Sequence, residues 1–280
     1  MNCLISEFQK YFCLSSSIVL VGMATSVNAF QLDFTGTVTG NLTNDNSDNN
    51  GATLRYGSVA TDGSTNLDLV VTALDTYTPV NAANNGLDQG GLNAGQINIA
   101  RGTSNRLGFQ FVVAGTDTPF TASSVEFDLY DIDSNGISRE FVTLSSDSNY
   151  EVSNSGGLNI TTTNQEVTFS PQALGEVPNL TNLSSPTSVQ EDVSVSLLFS
   201  SVSSFELTFG DDAPAPLPFS AGRNVFFTSQ FVFSDSTIAE NFQAEVPFEF
   251  SPTLGLLLSG LGILGLKRFR KQKMLNLKAY

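Results

Sequence analysis

Val125-Glu126-Phe127-Asp128-Leu129 alternates apolar and acidic side chains without a break, the pattern of a strand that buries one face and turns the other to water. The same alternation runs through Phe205-Glu206-Leu207-Thr208-Phe209 and Leu67-Asp68-Leu69-Val70-Val71-Thr72. Val193, Val195, Leu197 and Phe199 share one parity, as do Val225, Phe227, Phe231 and Phe233 around an intervening Ser229. Between these segments lie turn-rich stretches at 44–51, 81–95, 156–157, 179–187 and 211–218, where Gly, Pro, Asn and Asp interrupt pairing. Residues 30 to 246 contain no helical period. The cadence predicts an all-β fold, an antiparallel β-sandwich of jelly-roll-like form. An N-terminal signal helix and a short C-terminal hydrophobic helix are expected to flank it.

Composition agrees. Within 280 residues there are 22 Phe and 23 Gly but no Trp and no His, and one sandwich of this size needs no second domain. Both cysteines, Cys3 and Cys13, lie at the extreme N-terminus. Removal of that segment leaves no disulfide, thiol nucleophile or Cys metal site. The lack of histidine excludes Ser-His-Asp catalysis and the usual zinc ligand sets. Charge is segregated along the chain: residues 30–247 hold 25 acidic and 5 basic side chains, while six of the 12 basic residues fall after position 266. A body this acidic repels nucleic acid, which is excluded as a partner.

The two ends read as addresses. A short apolar stretch over residues 14–24 follows Lys10 and leads to Ser26-Val27-Asn28-Ala29. Val27 and Ala29 fit the small-residue pockets of signal peptidase, so cleavage is expected after Ala29. At the other end, Pro247, Phe248, Glu249, Phe250, Pro252 and Thr253 precede an apolar run over 254–266, which stops at Lys267, Arg268, Arg270 and Lys271. Thirteen helical residues span about 20 Å against about 30 Å of hydrocarbon, which suits transient insertion in the inner membrane. The basic stop stays cytoplasmic while the acidic body is exported.

In its order of motif, short helix and basic stop, the segment 246–273 resembles the PEP-CTERM family of exosortase substrates, in the cyanobacterial variant that carries Pro-Phe-Glu-Phe-Ser-Pro-Thr. The resemblance implies cutting near the motif by an exosortase-type protease during export, and an association with exopolysaccharide production. It covers the tag alone and names a route, not an activity. The expected organisation is a signal peptide at 1–29, a sandwich at 30–234, a linker at 235–245, the sorting signal at 246–273 and a tail at 274–280. Signal peptidase and the exosortase-type protease are the expected partners during export. The expected location is the cell envelope, outer surface or extracellular space.

Three constellations inside the body bear on chemistry. Asp131, Asp133, Asn135 and Gly136 match the D-x-D/N-x-D/N-G opening of calcium loops, in which alternate side chains supply oxygens. Val142 stands where the bidentate Glu is expected, with Glu140 nearby. Asp131, Asp133, Asn135 and Glu140 are therefore the candidate calcium ligands, an Asx-rich turn being the plainer alternative. Glu126 and Asp128 share a face and approximate the paired carboxylates of a jelly-roll glycosidase, although no Trp exists to form a sugar platform. Tyr56, Tyr77, Tyr130 and Tyr150 are the aromatics on which a carbohydrate-binding module would depend. The segment 86–95 reads as a mobile glycine-rich loop. The leading expectation is an exported, non-enzymatic envelope or matrix protein with a structural, adhesive or exopolysaccharide-associated role. A carbohydrate-binding module is the first alternative and a glycosidase the second.

Overall fold

The computed structural model describes residues 30–42, 51–88, 90–144, 148–163, 166–213 and 222–239. The cleavage position Ala29, the motif from Pro247 to Thr253, the apolar run, the basic stop and both flanking helices lie outside them. Among the described residues, no helix is long and apolar enough to cross a membrane.

Two antiparallel sheets account for nearly all regular structure, with strands numbered in chain order. The eight-stranded sheet runs β1 (Val38–Gly40), β2 (Thr53–Asp62), β3 (Thr65–Ala73), β6 (Ser104–Val113), β13 (Ser204–Asp211), β8 (Glu140–Leu144), β11 (Val167–Pro171) and β10 (Leu158–Thr162). The seven-stranded sheet runs β15 (Ser236–Ala239), β9 (Asn149–Ser153), β12 (Val195–Val202), β7 (Ala122–Tyr130), β14 (Gly222–Thr228), β5 (Gly95–Ala100) and β4 (Gly86–Leu87). A helical turn, α1 (Ser188–Glu191), is closed by a capping box in which Thr187 and Gln190 satisfy each other's backbone N–H groups.

The alternating segments deliver their apolar parity to the space between the sheets. Leu67, Leu69 and Val71 of β3, Val125, Phe127 and Leu129 of β7, and Phe205, Leu207 and Phe209 of β13 all belong to one buried cluster. Phenylalanines knit the layers together. Phe109 of β6 meets Phe127 and Phe227 across the gap edge-on, with centroids 5.4 and 5.7 Å apart, and stacks on Phe205 within its own sheet at 5.1 Å. Edge-to-face pairs of this kind add about 0.5–1.5 kcal/mol each beyond area burial. A ring without a polar handle suits an interior that offers no partner for an N–H. The packing is close enough that Gly95 admits no side chain, because a Cβ there would stand 2.1 Å from Phe227 Cε2.

The N-terminal residues of the domain belong to this core. Phe30 N donates to Ser124 O, and Leu32 and Phe34 are fully buried.

Two boundaries differ from the pattern of the sequence. β14 ends at Thr228, and Phe231 and Phe233 leave the sheet to pack in a second cluster on its outer face with Tyr130, Leu180 and Leu183. Ser229 marks the departure, since its hydroxyl bonds the backbone of Leu32. The expected linker at 235–245 begins as structure: β15 pairs with β9 through Ala239, in register from Ser236↔Ser153 to Ala239↔Tyr150.

Candidate functional site

The end of β7 is where the sandwich becomes chemically interesting. On the outer face of the seven-stranded sheet, register sets Tyr130 of β7 opposite Phe226 of β14, and Phe226 opposite Gln96 of β5. Tyr130 and Phe226 stack with centroids 5.1 Å apart. Above this row, Asp88, Gly90 and Leu92 on one side and Asn179 and Leu180 on the other enclose a cavity of about 220 Å³. Asp88 shapes the first wall, its carboxylate accepting from Gly90 N and Leu92 N at 3.0 Å each. Asn84, Gln96, Asn179 and Asn224 bring amide side chains to the lining, and Asp131 brings a second carboxylate. The segment expected to be a mobile glycine-rich loop is thus held by β4 and by Asp88, and forms a wall.

Tyr130 is 3% exposed, and its hydroxyl has no hydrogen-bond partner among the described residues. Burial, followed by the nearby Asp88 and Asp131 carboxylates, pushes its phenol well above the ordinary tyrosine range. Asp131 follows at φ 69°, in the left-handed region that aspartate tolerates. Its carboxyl is pushed up to about 7 by burial and by Asp133, against the pull of Arg223.

From Asp131 the chain crosses the open end of the sandwich and meets an ionic cluster. Arg223, on the inward parity of β14, lies with its Nε 2.8 Å from Glu140 Oε1 and 3.8 Å from Asp211 Oδ2, and with its Nη2 3.1 Å from Asp133 Oδ1. The Glu140 contact is an ion pair without hydrogen-bond alignment. Glu140 and Asp211 are cross-strand partners of the opposite sheet, so Arg223 ties the two layers together at their mouth. Burial drives the Glu140 carboxyl well above its ordinary value, and Asp133 upward as well, while the guanidinium opposes both.

The four candidate calcium ligands are divided between the ionic cluster, an Asx turn and the cavity. Asp133 and Glu140 converge on a guanidinium. Asp133 Oδ2 also accepts from Val177 N at 2.7 Å, and Asn135 Oδ1 accepts from Ile137 N at 3.0 Å and Ser138 N at 3.1 Å, as in an Asx turn. Asp131 faces the cavity instead. Among the described residues, no three acidic side chains form a metal-binding group.

The paired carboxylates are also committed. Ser196 of β12 donates to Asp128 Oδ1 at 2.6 Å and lies 3.3 Å from Glu126 Oε1, while Phe231 N donates to Asp128 Oδ2 at 2.9 Å. Asp128 is 1% exposed. Burial and the neighbouring Glu126 hold its carboxyl well above the carboxylate range. Burial likewise raises Glu126, with Glu151 adding to it. Of the four tyrosines that a carbohydrate-binding module would need exposed on one face or rim, Tyr56, Tyr77 and Tyr130 are buried and Tyr150 is half-buried against Phe169. An exposed aromatic platform is therefore ruled out for the three buried rings.

The fold so defined is a two-sheet antiparallel β-sandwich. No family model matches the chain, and no curated protein matches it. Among solved structures it is similar to the N-terminal domain of the Streptococcus gordonii adhesin Sgo0707, at a TM-score of 0.40 and 12% identity, over 71% of this chain and 54% of that one. The chain thus spans about half the length of that structure.

Proposed function

We propose that this chain is an exported, non-catalytic protein of the cell envelope or extracellular matrix. In this reading it is cut after Ala29, sorted through 246–273 by an exosortase-type system, and acts in adhesion or in association with exopolysaccharide. The observation that carries the non-catalytic part is the state of Asp128. Its two oxygens are taken by Ser196 and Phe231, and the side chain is closed off from solvent, whereas a glycosidase needs both carboxyls open to substrate. Export draws support from the sequence, where a short apolar stretch after Lys10 leads to Val27 and Ala29, the small residues that signal peptidase accepts. The basic cluster directly after the apolar run is the signal that keeps the tail cytoplasmic. We read the interleaved orders β6-β13-β8-β11 and β7-β12-β9 as jelly-roll-like.

Incubation of the full chain with neutral and acidic polysaccharides is expected to release no reducing ends. Hydrolysis that disappears in Glu126→Gln would overturn the non-catalytic reading. Deletion of the chain from its host is expected to weaken matrix integrity without loss of any hydrolytic activity.

A further inference from the structure

The cavity over β5, β14 and β7 has a lining whose chemistry selects a ligand class. Among the described residues it is lined by four amide side chains, two carboxylates and the Tyr130 ring, and by neither lysine nor arginine. Phosphate, sulfate and uronate groups would meet Asp88 and Asp131 without a counter-charge, at a cost that the site has no means to offset. An ammonium group could face the carboxylates, but it donates only, and would leave the amide N–H groups of Asn84, Gln96, Asn179 and Asn224 facing another donor. A hydroxyl both donates and accepts, and so can satisfy amide N–H, amide carbonyl and carboxylate alike.

The floor of the cavity supplies a second pointer, since Tyr130 and Phe226 stack there with centroids 5.1 Å apart. The half-buried Phe226 also gives the cavity an apolar face of the kind that packs on the C–H groups of a sugar ring. At about 220 Å³ the space is smaller than the roughly 300–1,000 Å³ of sites for drug-sized molecules, and fits one ring-sized unit. Leu92 is shared with a shallower neighbouring depression lined by Gln31, Asn182 and Gln230, again uncharged hydrogen-bonding groups, so a chain of such units has a path out of the cavity.

We propose that this cavity binds a neutral saccharide unit, with Gln96, Asn224 and Asn179 bonding its hydroxyls and Phe226 lying beside its ring. The proposal rests on the surface-protein reading only for where such a sugar is met. Its test uses purified protein, so failure of the export reading leaves it untouched, and its own failure leaves export standing.

The full chain, fluorescently labelled, is applied to a glycan array that carries neutral, uronate-containing and amine-bearing saccharides. Retention on neutral glycans is expected, and the methyl glycoside of the retained sugar should compete fully. Asn224→Ala should weaken binding about three- to tenfold, the worth of one hydrogen bond. Asn179→Ala, at the exposed rim, should weaken binding without changing the melting temperature, and decides the matter if Asn224→Ala unfolds. Absence of neutral-glycan binding, preference for uronate or amine groups, failure of the glycoside to compete, or unchanged affinity in both variants would overturn the proposal.

Discussion

Replacement of Arg223 by methionine removes the guanidinium from the mouth of the sandwich while keeping most of the side chain's volume. Its side chain is 10% exposed, and the carboxylates of Asp133, Glu140 and Asp211 are 4%, 4% and 0% exposed. Removing one partner of a buried ion pair costs about 3–5 kcal/mol, because the remaining charge is left without compensation. Against a typical total of about 5–15 kcal/mol, this is a large fraction of stability. At about 2–4 °C per kcal/mol for a domain of this size, the melting temperature should fall by roughly 6–20 °C. The loss also has a pH signature. Burial already raises Asp133 and Glu140; Arg223 is the main influence holding Glu140 down, and after the Val177 N–H it also holds Asp133 down, so without it both should rise further. A carboxyl with a folded-state pKa above its unfolded value binds more protons in the folded state. Stability therefore falls as pH rises through that window and is regained on acidification. Urea denaturation of Arg223→Met and the parent at pH 5, 6, 7 and 8 should show the deficit largest at pH 8 and smallest at pH 5. A deficit below about 1 kcal/mol, constant across that range, would refute the idea that Arg223 neutralises a buried cluster.

The parent protein should itself be more stable at pH 5 than at pH 7.5, since Asp131 sits at about 7 and Glu126, Asp128, Asp133 and Glu140 are raised. A denaturation midpoint that rises with pH over that interval would contradict the assignment. Below the ordinary carboxylate range the trend should reverse as Asp68 protonates. Burial opposes its ionisation, but the N–H groups of Ser58 and Gly115 and the Arg55 guanidinium outweigh it and hold its pKa low. Gly95→Ala should cost about 1–3 kcal/mol, as overpacked core positions do, because the new methyl meets the Phe227 ring; a neutral result in urea melts would show that the ring has room to move. Calcium added to the EDTA-treated chain should leave the melting temperature unchanged, since the loop oxygens are engaged by Arg223 and by backbone N–H groups. A clear rise would instead support Asp131, Asp133, Asn135 and Glu140 as a metal site.

Where one face of a strand is buried between the sheets, its identity could be read from the sequence. The period-two pattern located the strands around Val125, Phe205 and Leu67 and named the side chains that fill the gap. It could not show that loops roof the outer face. Tyr130 stands on the polar parity of β7, yet it is buried because Leu180, Leu183 and Phe231 fold over it. Phe231 and Phe233 kept the parity of Val225 and Phe227 by coincidence of spacing, after the backbone had already left the sheet. The cavity was illegible for the same reason: Gln96, Tyr130 and Asn224 lie on three strands far apart in sequence, joined only by register. Asp88-Gln89-Gly90 reads like any turn in the sequence, and only the bonds from Asp88 to Gly90 and Leu92 reveal a wall. The acidic loop was found, but its partner was not. Arg223 follows Glu140 by 83 positions, and nothing local in Asp131-Ile132-Asp133 says that a guanidinium from the opposite sheet will arrive.

Intact-mass determination of both termini, made separately on each cell fraction of the native host, tests the central claim most directly. The expected product is a chain that begins at Phe30, ends before Leu254, and is recovered from the envelope or extracellular fraction. A chain that keeps its C-terminus through Tyr280 and stays in the inner membrane would contradict it.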